Sequence, residues 1–335
     1  MPYHGGRRYL GLDNVMDFSV NANPVGPPNF LGTCDFLEYP DHEYKKLRRA
    51  ISNHYGVEDV VPVNGASEAL AVLPLAIRPN KIVTIAPSYG DYEERAGAMG
   101  LKHEYVFMKD HGSSFRIDEL PNLGGGVLVY LSNPNNPTGS SINASTLRGL
   151  AEGLDGFLVV DEAYMELSSA ESMLGTDLEN VVVVRSFTKA LSMPGLRAGF
   201  IYSANEEVIK RTRALLPSWN VNSCADSLIT ELLSNYGAQY SNFLAVSRKY
   251  VEAGLSVLSR GLRRLGMHVY ESTANFILAR GPISSQELAD KLLRQGVLIR
   301  PAHTFAGLGP NHFRVAVKDA WSNEVLLDAI EKILE

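Results

Sequence analysis

The chain has 335 residues, 45% apolar and 20% charged, the balance of an ordinary globular protein with room for two domains and a sizeable core. A net charge of −6 gives no electrostatic footprint for nucleic acid. No stretch approaches the length of a membrane span, and Arg7 and Arg8 near the start have no apolar run behind them, so neither an anchor nor a secretory leader is expected.

Cys34 and Cys224 lie far apart and outside CxxC spacing, which argues against a disulfide framework or a zinc site and fits a reducing, cytoplasmic setting. The eight histidines are scattered, with no HExxH, so no metal is expected. No GxGxxG, P-loop or GxSxG elbow occurs, and Gly124-Gly125-Gly126 precedes a strand-like run and so reads as a turn.

In chain order, residues 1–30 are rich in Gly, Pro and Asn and read as an extended arm. A helical pattern runs from 41 to 55. Apolar β-like runs follow at 60–63, 81–86, 104–108, 127–131, 157–160, 181–184 and 199–202. Helical stretches at 67–76, 91–99 and 144–154 separate several of them, which predicts an α/β fold with a largely parallel, buried sheet. Ligands in such sheets sit beyond the carboxyl ends of the strands. From 205 the character changes. Helices at 206–216 and 241–265 lead to a smaller α/β unit with strands at 267–270, 275–279, 297–300 and 312–317 and helices at 285–295 and 323–334. The expected division is an arm over 1–30, a large domain over 31–235 and a small domain over 236–335.

Residues 181–199, VVVVRSFTKALSMPGLRAG, organise the rest. Four valines read as a strand buried on both faces. Lys189 just beyond it, with Ser186, Thr188 and Arg197 nearby, suits a carbonyl cofactor carrying a phosphate: the amine forms an imine and the neighbours supply donors. A solvated lysine at a plain strand-to-loop junction would look the same. Elsewhere, Gly65, Ala66 and Ser67 stand where a strand meets a helix N-terminus, which favours an anion, although an ordinary capped helix also fits. Tyr89 ends the next strand and could stack on a ligand or pack in the core. Asn136 lies in the turn-rich loop NPNNPTG. Asp161 closes an apolar strand; burying it costs free energy unless it is paired, and a pyridinium N–H would pair it, with Tyr164 reaching a neighbouring oxygen. An N-cap aspartate is the competing explanation.

The order NGASE, PSY, NNPTG, DEAY, SFTK and GLRAG resembles the pyridoxal-phosphate (PLP) aminotransferases of fold type I, class I/II, over nearly the whole length. The resemblance implies a three-layer large domain with a seven-stranded, mostly parallel mixed sheet, a smaller α/β domain, and a homodimer with active sites at the subunit interface. It implies Lys189 as the covalent anchor, Asp161 on the pyridine nitrogen, Asn136 and Tyr164 on the phenolic oxygen, and Tyr89 stacked on the ring. Gly65, Ala66, Ser67, Ser186, Thr188 and Arg197 would hold the phosphate, Tyr39 would reach the partner's cofactor phosphate, and Arg314 would take a substrate carboxylate.

Within that fold the chain resembles two sister groups acting on phosphorylated amino acids or amines, the histidinol-phosphate aminotransferases and the threonine-phosphate decarboxylases of cobalamin synthesis. His4-Gly5-Gly6, the stretch DFSVNANP at 17–24, NGASE, MPGLR at 193–197, SWNVN at 218–222 and the tail 298–317 lean toward the decarboxylases. Arg300 and Arg314 suit a substrate with a carboxylate and a phosphate, and His4 and Asn21 could complete the phosphate site. The expectation is therefore threonine-phosphate decarboxylation, with histidinol-phosphate or related class I/II transamination as the alternative.

Overall fold

The computed structural model describes residues 5–8, 10–34, 37–117 and 119–335. The seven apolar runs form one sheet: β1 (Val61–Val63), β2 (Lys81–Ala86), β3 (Lys102–Phe107), β4 (Val127–Ser132), β5 (Gly156–Asp161), β6 (Val181–Ser186) and β7 (Gly199–Tyr202). Their spatial order is β1-β7-β6-β5-β4-β2-β3. Every pairing is parallel except those of β7, which runs antiparallel to both β1 and β6. The sheet is thus mixed but mostly parallel.

Alternation along the strands splits the core between two faces. Val159, Val182 and Val184 pack with helices α2 (Ala66–Ile77) and α3 (Asp91–Ala98), whereas Leu158, Val160, Val181 and Val183 pack with α4 (Ala144–Glu152). Beyond this sheet, α5 (Glu206–Leu215), α6 (Ser223–Asn235) and the long α7 (Gly237–Arg264) lead into a four-stranded antiparallel sheet. Its strands are β8 (His268–Val269), β9 (Phe276–Arg280), β10 (Arg300–Pro301) and β11 (His312–Ala316), in the order β8-β9-β11-β10. Helices α8 (Ser285–Arg294) and α9 (Ala320–Leu334) and part of α7 close its core.

The helix expected from residue 41 is shorter, Lys45–Tyr55, because Tyr44 takes a left-handed conformation with φ of 51°. The helix α6 has no counterpart in the predicted elements. The run 297–300 divides in two: Val297–Leu298 pairs in parallel with Met16–Asp17 of the arm, while Arg300 turns into the small sheet. That pairing, with Phe18 wholly buried in the small core, anchors the arm.

Strand β6 also runs past its expected end at Val184, through Arg185 and Ser186. A charged residue is tolerated there because it is paired. Arg185 meets Glu162 at 3.2 Å and Glu166 at 3.3 Å, all beneath the sheet, and Tyr55 donates to Glu166 at 2.6 Å. Burial pushes the Glu162 carboxyl up, and the adjacent guanidinium opposes that shift.

Cys34 and Cys224, for which no disulfide was expected, are joined as one, with Cα atoms 4.5 Å apart across 190 residues of sequence. Spacing along a chain carries no information about a pair that tertiary packing brings together. Cysteine usage therefore does not argue for a reducing compartment. Among the described residues, no helix is long and apolar enough to cross a membrane, and no cluster of three or more His, Cys, Asp or Glu could hold a metal ion.

Replacing Arg185 with Met leaves two buried carboxylates without their cation and is expected to cost about 3–5 kcal/mol of stability. The check is the urea unfolding midpoint, which should fall well below that of the parent chain; an unchanged midpoint would mean that the three charges are not coupled.

Candidate active site

The carboxyl ends of β4, β5 and β6 and the N-terminus of α2 face one cavity of about 160 Å³. Gly65 caps α2 with φ of 75°, a conformation glycine adopts without strain. A Cβ there would lie 2.5 Å from Arg197 Nη2. The missing side chain therefore lets the guanidinium close over the first turn, where Ala66 and Ser67 begin the helix. Arg197 itself has φ of 54° and donates weakly to Asn64 O at 3.4 Å. From the other side, Ser186 Oγ and Thr188 Oγ1 lie 2.8 Å apart at the start of the one-turn helix Phe187–Ala190. Two hydroxyls, a guanidinium and a helix N-terminus make a cradle for a dianion.

At the other end of the cavity, Asp161 terminates β5 and is 5% exposed. Burial pushes its carboxyl up. Tyr92, the Ala163 amide and the Lys189 charge all pull it back. Tyr92 OH donates to Oδ2 at 2.8 Å and Ala163 N to Oδ1 at 3.0 Å. Lys189 Nζ stands 5.9 Å from the centre of the Tyr164 ring. Tyr89 lies along the wall, its phenol pushed far up, first by burial and then by Asp91. The donor set fits pyridoxal phosphate: a cradle for the phosphate, a buried carboxylate for a ring N–H, and an amine for the carbonyl carbon.

A second cavity of about 560 Å³ shares Tyr89, Asn136, Tyr164 and Lys189 with the first. Arg300 and Arg314, register partners on β10 and β11, both line it, and both are nearly fully buried. Arg314 donates to Asn136 Oδ1 and, at 2.9 Å, to Ser19 O, while its Nε has no hydrogen-bond partner. Burial pushes the Arg314 pKa down. Arg300 donates to Pro301 O at 2.5 Å and Thr304 Oγ1 at 2.9 Å and lies over the Phe305 ring. Asn21 Nδ2 donates to Tyr164 OH at 3.3 Å, and its buried Oδ1 has no partner. The arm closes this side: a Cβ on Gly5 would come within 2.6 Å of Ser19 Oγ.

One described candidate is exposed and lines neither cavity, and another falls outside the described residues. Tyr39 is 79% exposed and meets the Trp219 ring at a tilt of 33°, 4.7 Å between ring centres. His4 lies outside the described residues. Conversely, Ser19, Thr304 and Phe305 line the second cavity, and Tyr92 hydrogen-bonds Asp161, without having been singled out in the sequence. Ser19 lies inside the DFS stretch, and Tyr92 follows Tyr89 by three residues, in the first turn of the helix that begins at Asp91.

Gly65→Ala forces a side chain into Arg197 and a strained backbone, and is expected to weaken PLP binding by roughly 1–3 kcal/mol, about 5- to 150-fold. Gly11→Ala has a similar φ of 68° but open space around it, and should bind PLP as the parent does. Titration with PLP followed by absorbance compares the two.

Residues 13–333 match the family model described as aminotransferase class I and II. The chain is 29% identical to the bifunctional adenosylcobalamin biosynthesis protein CobDQ of Leptospira interrogans; the match takes in 99% of this chain and 41% of that protein's length. It is 27% identical to the threonine-phosphate decarboxylase of Salmonella typhimurium over 99% of this chain and 96% of that one. It is 32% identical to a histidinol-phosphate aminotransferase of Anaeromyxobacter sp. over 99% and 94% of the two chains. Among solved structures, the L-threonine-O-3-phosphate decarboxylase of Porphyromonas gingivalis superposes with a TM-score of 0.77 at 25% identity, covering 89% of this chain and 90% of that one. The Sinorhizobium meliloti histidinol-phosphate aminotransferase in complex with pyridoxal-5'-phosphate shares the fold, with a TM-score of 0.83 at 19% identity over 98% and 93% of the chains. With a seven-stranded mixed sheet, an anion cradle, a buried acid and a lysine at one set of strand ends, and a family match over nearly its whole length, the chain belongs to the class I and II aminotransferase family.

Proposed function

We propose that the protein is a PLP-dependent enzyme acting on a phosphorylated amino acid, and specifically a threonine-phosphate decarboxylase of cobalamin synthesis. The observation that carries this reading is the pair of buried guanidinium groups, Arg300 and Arg314, in one cavity with Lys189. Two guanidinium groups lining one cavity suit two anionic groups on one small substrate, and threonine phosphate has a carboxylate and a phosphate. The relatives that carry the same name support it, as do the arm motifs around Gly5 and 17–24.

PLP, when bound, supplies an electron sink for a bond broken at the substrate Cα. The chain's own groups do the rest. Asp161 would accept the ring N–H, and Asn136 and Tyr164 would hold the phenolic oxygen. Tyr89 would cover the ring, while Gly65, Ala66, Ser67, Ser186, Thr188 and Arg197 would take the phosphate. Arg314 grips the substrate carboxylate, and Arg300 and Asn21, with His4, take the substrate phosphate. Lys189 Nζ is the anchor and the only amine lining the cavity among the described residues, so it is the group that gives or takes a proton beside Cα. Arg314 would orient the substrate carboxylate and Lys189 would give or take the proton beside Cα, and the orientation that Arg314 imposes would decide between loss of CO₂ and transamination.

The exposed Tyr39 supports a homodimer in which it reaches the phosphate held by a second copy. In this reading the arm (1–30) and the small domain (236–335) close over the large domain (31–235). Phosphorylated substrates suit a cytoplasmic location. The relatives named as histidinol-phosphate aminotransferases favour that activity as the second reading.

PLP-loaded protein given O-phospho-L-threonine without a keto acid should release CO₂ with turnover. No release, with histidinol phosphate converted only when 2-oxoglutarate is added, would establish the second reading instead. Lys189→Ala should lose the cofactor's visible absorbance, and a parent protein that takes up no PLP would refute both readings. Arg314→Gln should lower kcat/KM by about 10- to 100-fold, the loss of a charged hydrogen-bonding partner.

A further inference from the structure

Asp161 is held from behind by a residue that lines neither cavity. Tyr92 is wholly buried on α3, and its hydroxyl donates to Asp161 Oδ2 at 2.8 Å. Its ring stacks on Tyr130 of β4, with centres 4.8 Å apart and planes 6° apart, and meets Tyr89 edge-on at 5.8 Å. Tyr130's own hydroxyl bonds elsewhere, donating to Leu70 O at 3.0 Å. The phenol therefore has one orientation, set by packing on both sides.

Period-2 alternation explains the arrangement. Asp161 points to the same face as Val159, which packs with α2 and α3, so its carboxylate emerges against Tyr92. Few groups favour its charged form. Ala163 N and Tyr92 OH donate to it, and Lys189 attracts it from the one-turn helix, while Asp91 on α3 opposes it. Tyr89 and Tyr130 are the other titratable groups facing this pair, and Ser132 also hydrogen-bonds the Tyr92 hydroxyl. Burial and the neighbouring carboxylate keep the Tyr92 phenol protonated far above the working range, so it is a permanent donor.

We propose that Tyr92 is a positioning residue for this site: its hydroxyl, with the Ala163 amide, fixes Asp161 as an oriented carboxylate that already accepts from two donors, so that the proton shared with the cofactor's ring nitrogen stays on nitrogen. The inference rests on the PLP reading above. One proton and one hydrogen bond are involved. With the Tyr92 hydroxyl present, the charge pair N–H⁺ and carboxylate is favoured; without it, Oδ2 becomes more basic and draws the proton, and the ring loses its electron-withdrawing charge.

The test is a pH titration of the visible absorbance of PLP-loaded parent, Tyr92→Phe and Tyr130→Phe proteins. Phe keeps the ring and the stack, so packing is preserved in both variants. Tyr92→Phe should raise the midpoint by about one pH unit and lower kcat about tenfold with KM changed less than twofold. Tyr130→Phe, which removes a hydroxyl from the same stack without touching Asp161, should titrate as the parent does. A parent midpoint in Tyr92→Phe, or an equal shift in Tyr130→Phe, overturns the proposal. A parent that shows no visible band with added PLP overturns the cofactor reading and this inference with it, and so is told apart from a failure of Tyr92 alone.

Discussion

The site depends on how charges are buried at the carboxyl ends of two apolar parallel strands. Strands β5 and β6 are fully buried for most of their length, so polar groups at their ends need partners. Alternation sends successive residues to opposite faces. Asp161 and Ser186 emerge on the side of α2 and α3, where they line the smaller cavity; Glu162 and Arg185 emerge on the other side and neutralise one another. The buried ion pair and the site are thus two faces of the same strand ends. Glu162 N also donates to Val184 O at 2.8 Å, which continues the ladder past Asp161 and holds the two ends in register.

The larger cavity is a product of assembly between distant parts of the chain. Arg314 donates to Ser19 of the arm and to Asn136 of the loop after β4, so three segments meet at one guanidinium. Asn21 and Tyr164 make a similar bridge. The arm itself adds a strand pairing at Met16–Asp17 and buries Phe18 in the small core, which gives an otherwise irregular segment enough apolar burial to be held. Site groups held by hydrogen bonds across segments are positioned without relying on loop stiffness.

Much of this was legible in the residues. The inner strands β2, β4, β5 and β6 carry apolar, β-branched runs, because burial on both faces leaves no room for polar alternation, whereas the edge strand β3, KHEYVF, is partly exposed along its length. The cradle and the acid were legible because their residue types are unusual at strand ends: a lysine among hydroxyls, an aspartate after four apolar residues, a glycine before a helix. Helix α6 was not. Its buried positions, Ala225, Leu228, Ile229 and Leu232, have helical spacing, but they follow a Pro- and Asn-rich stretch that reads as loop. The extension of β6 through Arg185 was hidden for a related reason, since a charged residue signals a strand end unless its buried partners are known.

By itself, then, the sequence determined the α/β alternation, the strand ends that carry polar chemistry, and the residue types available there, because local pattern and burial fix these. Only the tertiary structure decided which groups meet. It joined Cys34 to Cys224, set Arg300 opposite Arg314, brought Ser19 to the guanidinium and placed Tyr92 behind Asp161. Those contacts join residues from 69 to 295 positions apart, apart from the two arginines on adjacent strands. No local propensity encodes such pairs; they exist because the two faces of a buried sheet and a returning arm must be packed together.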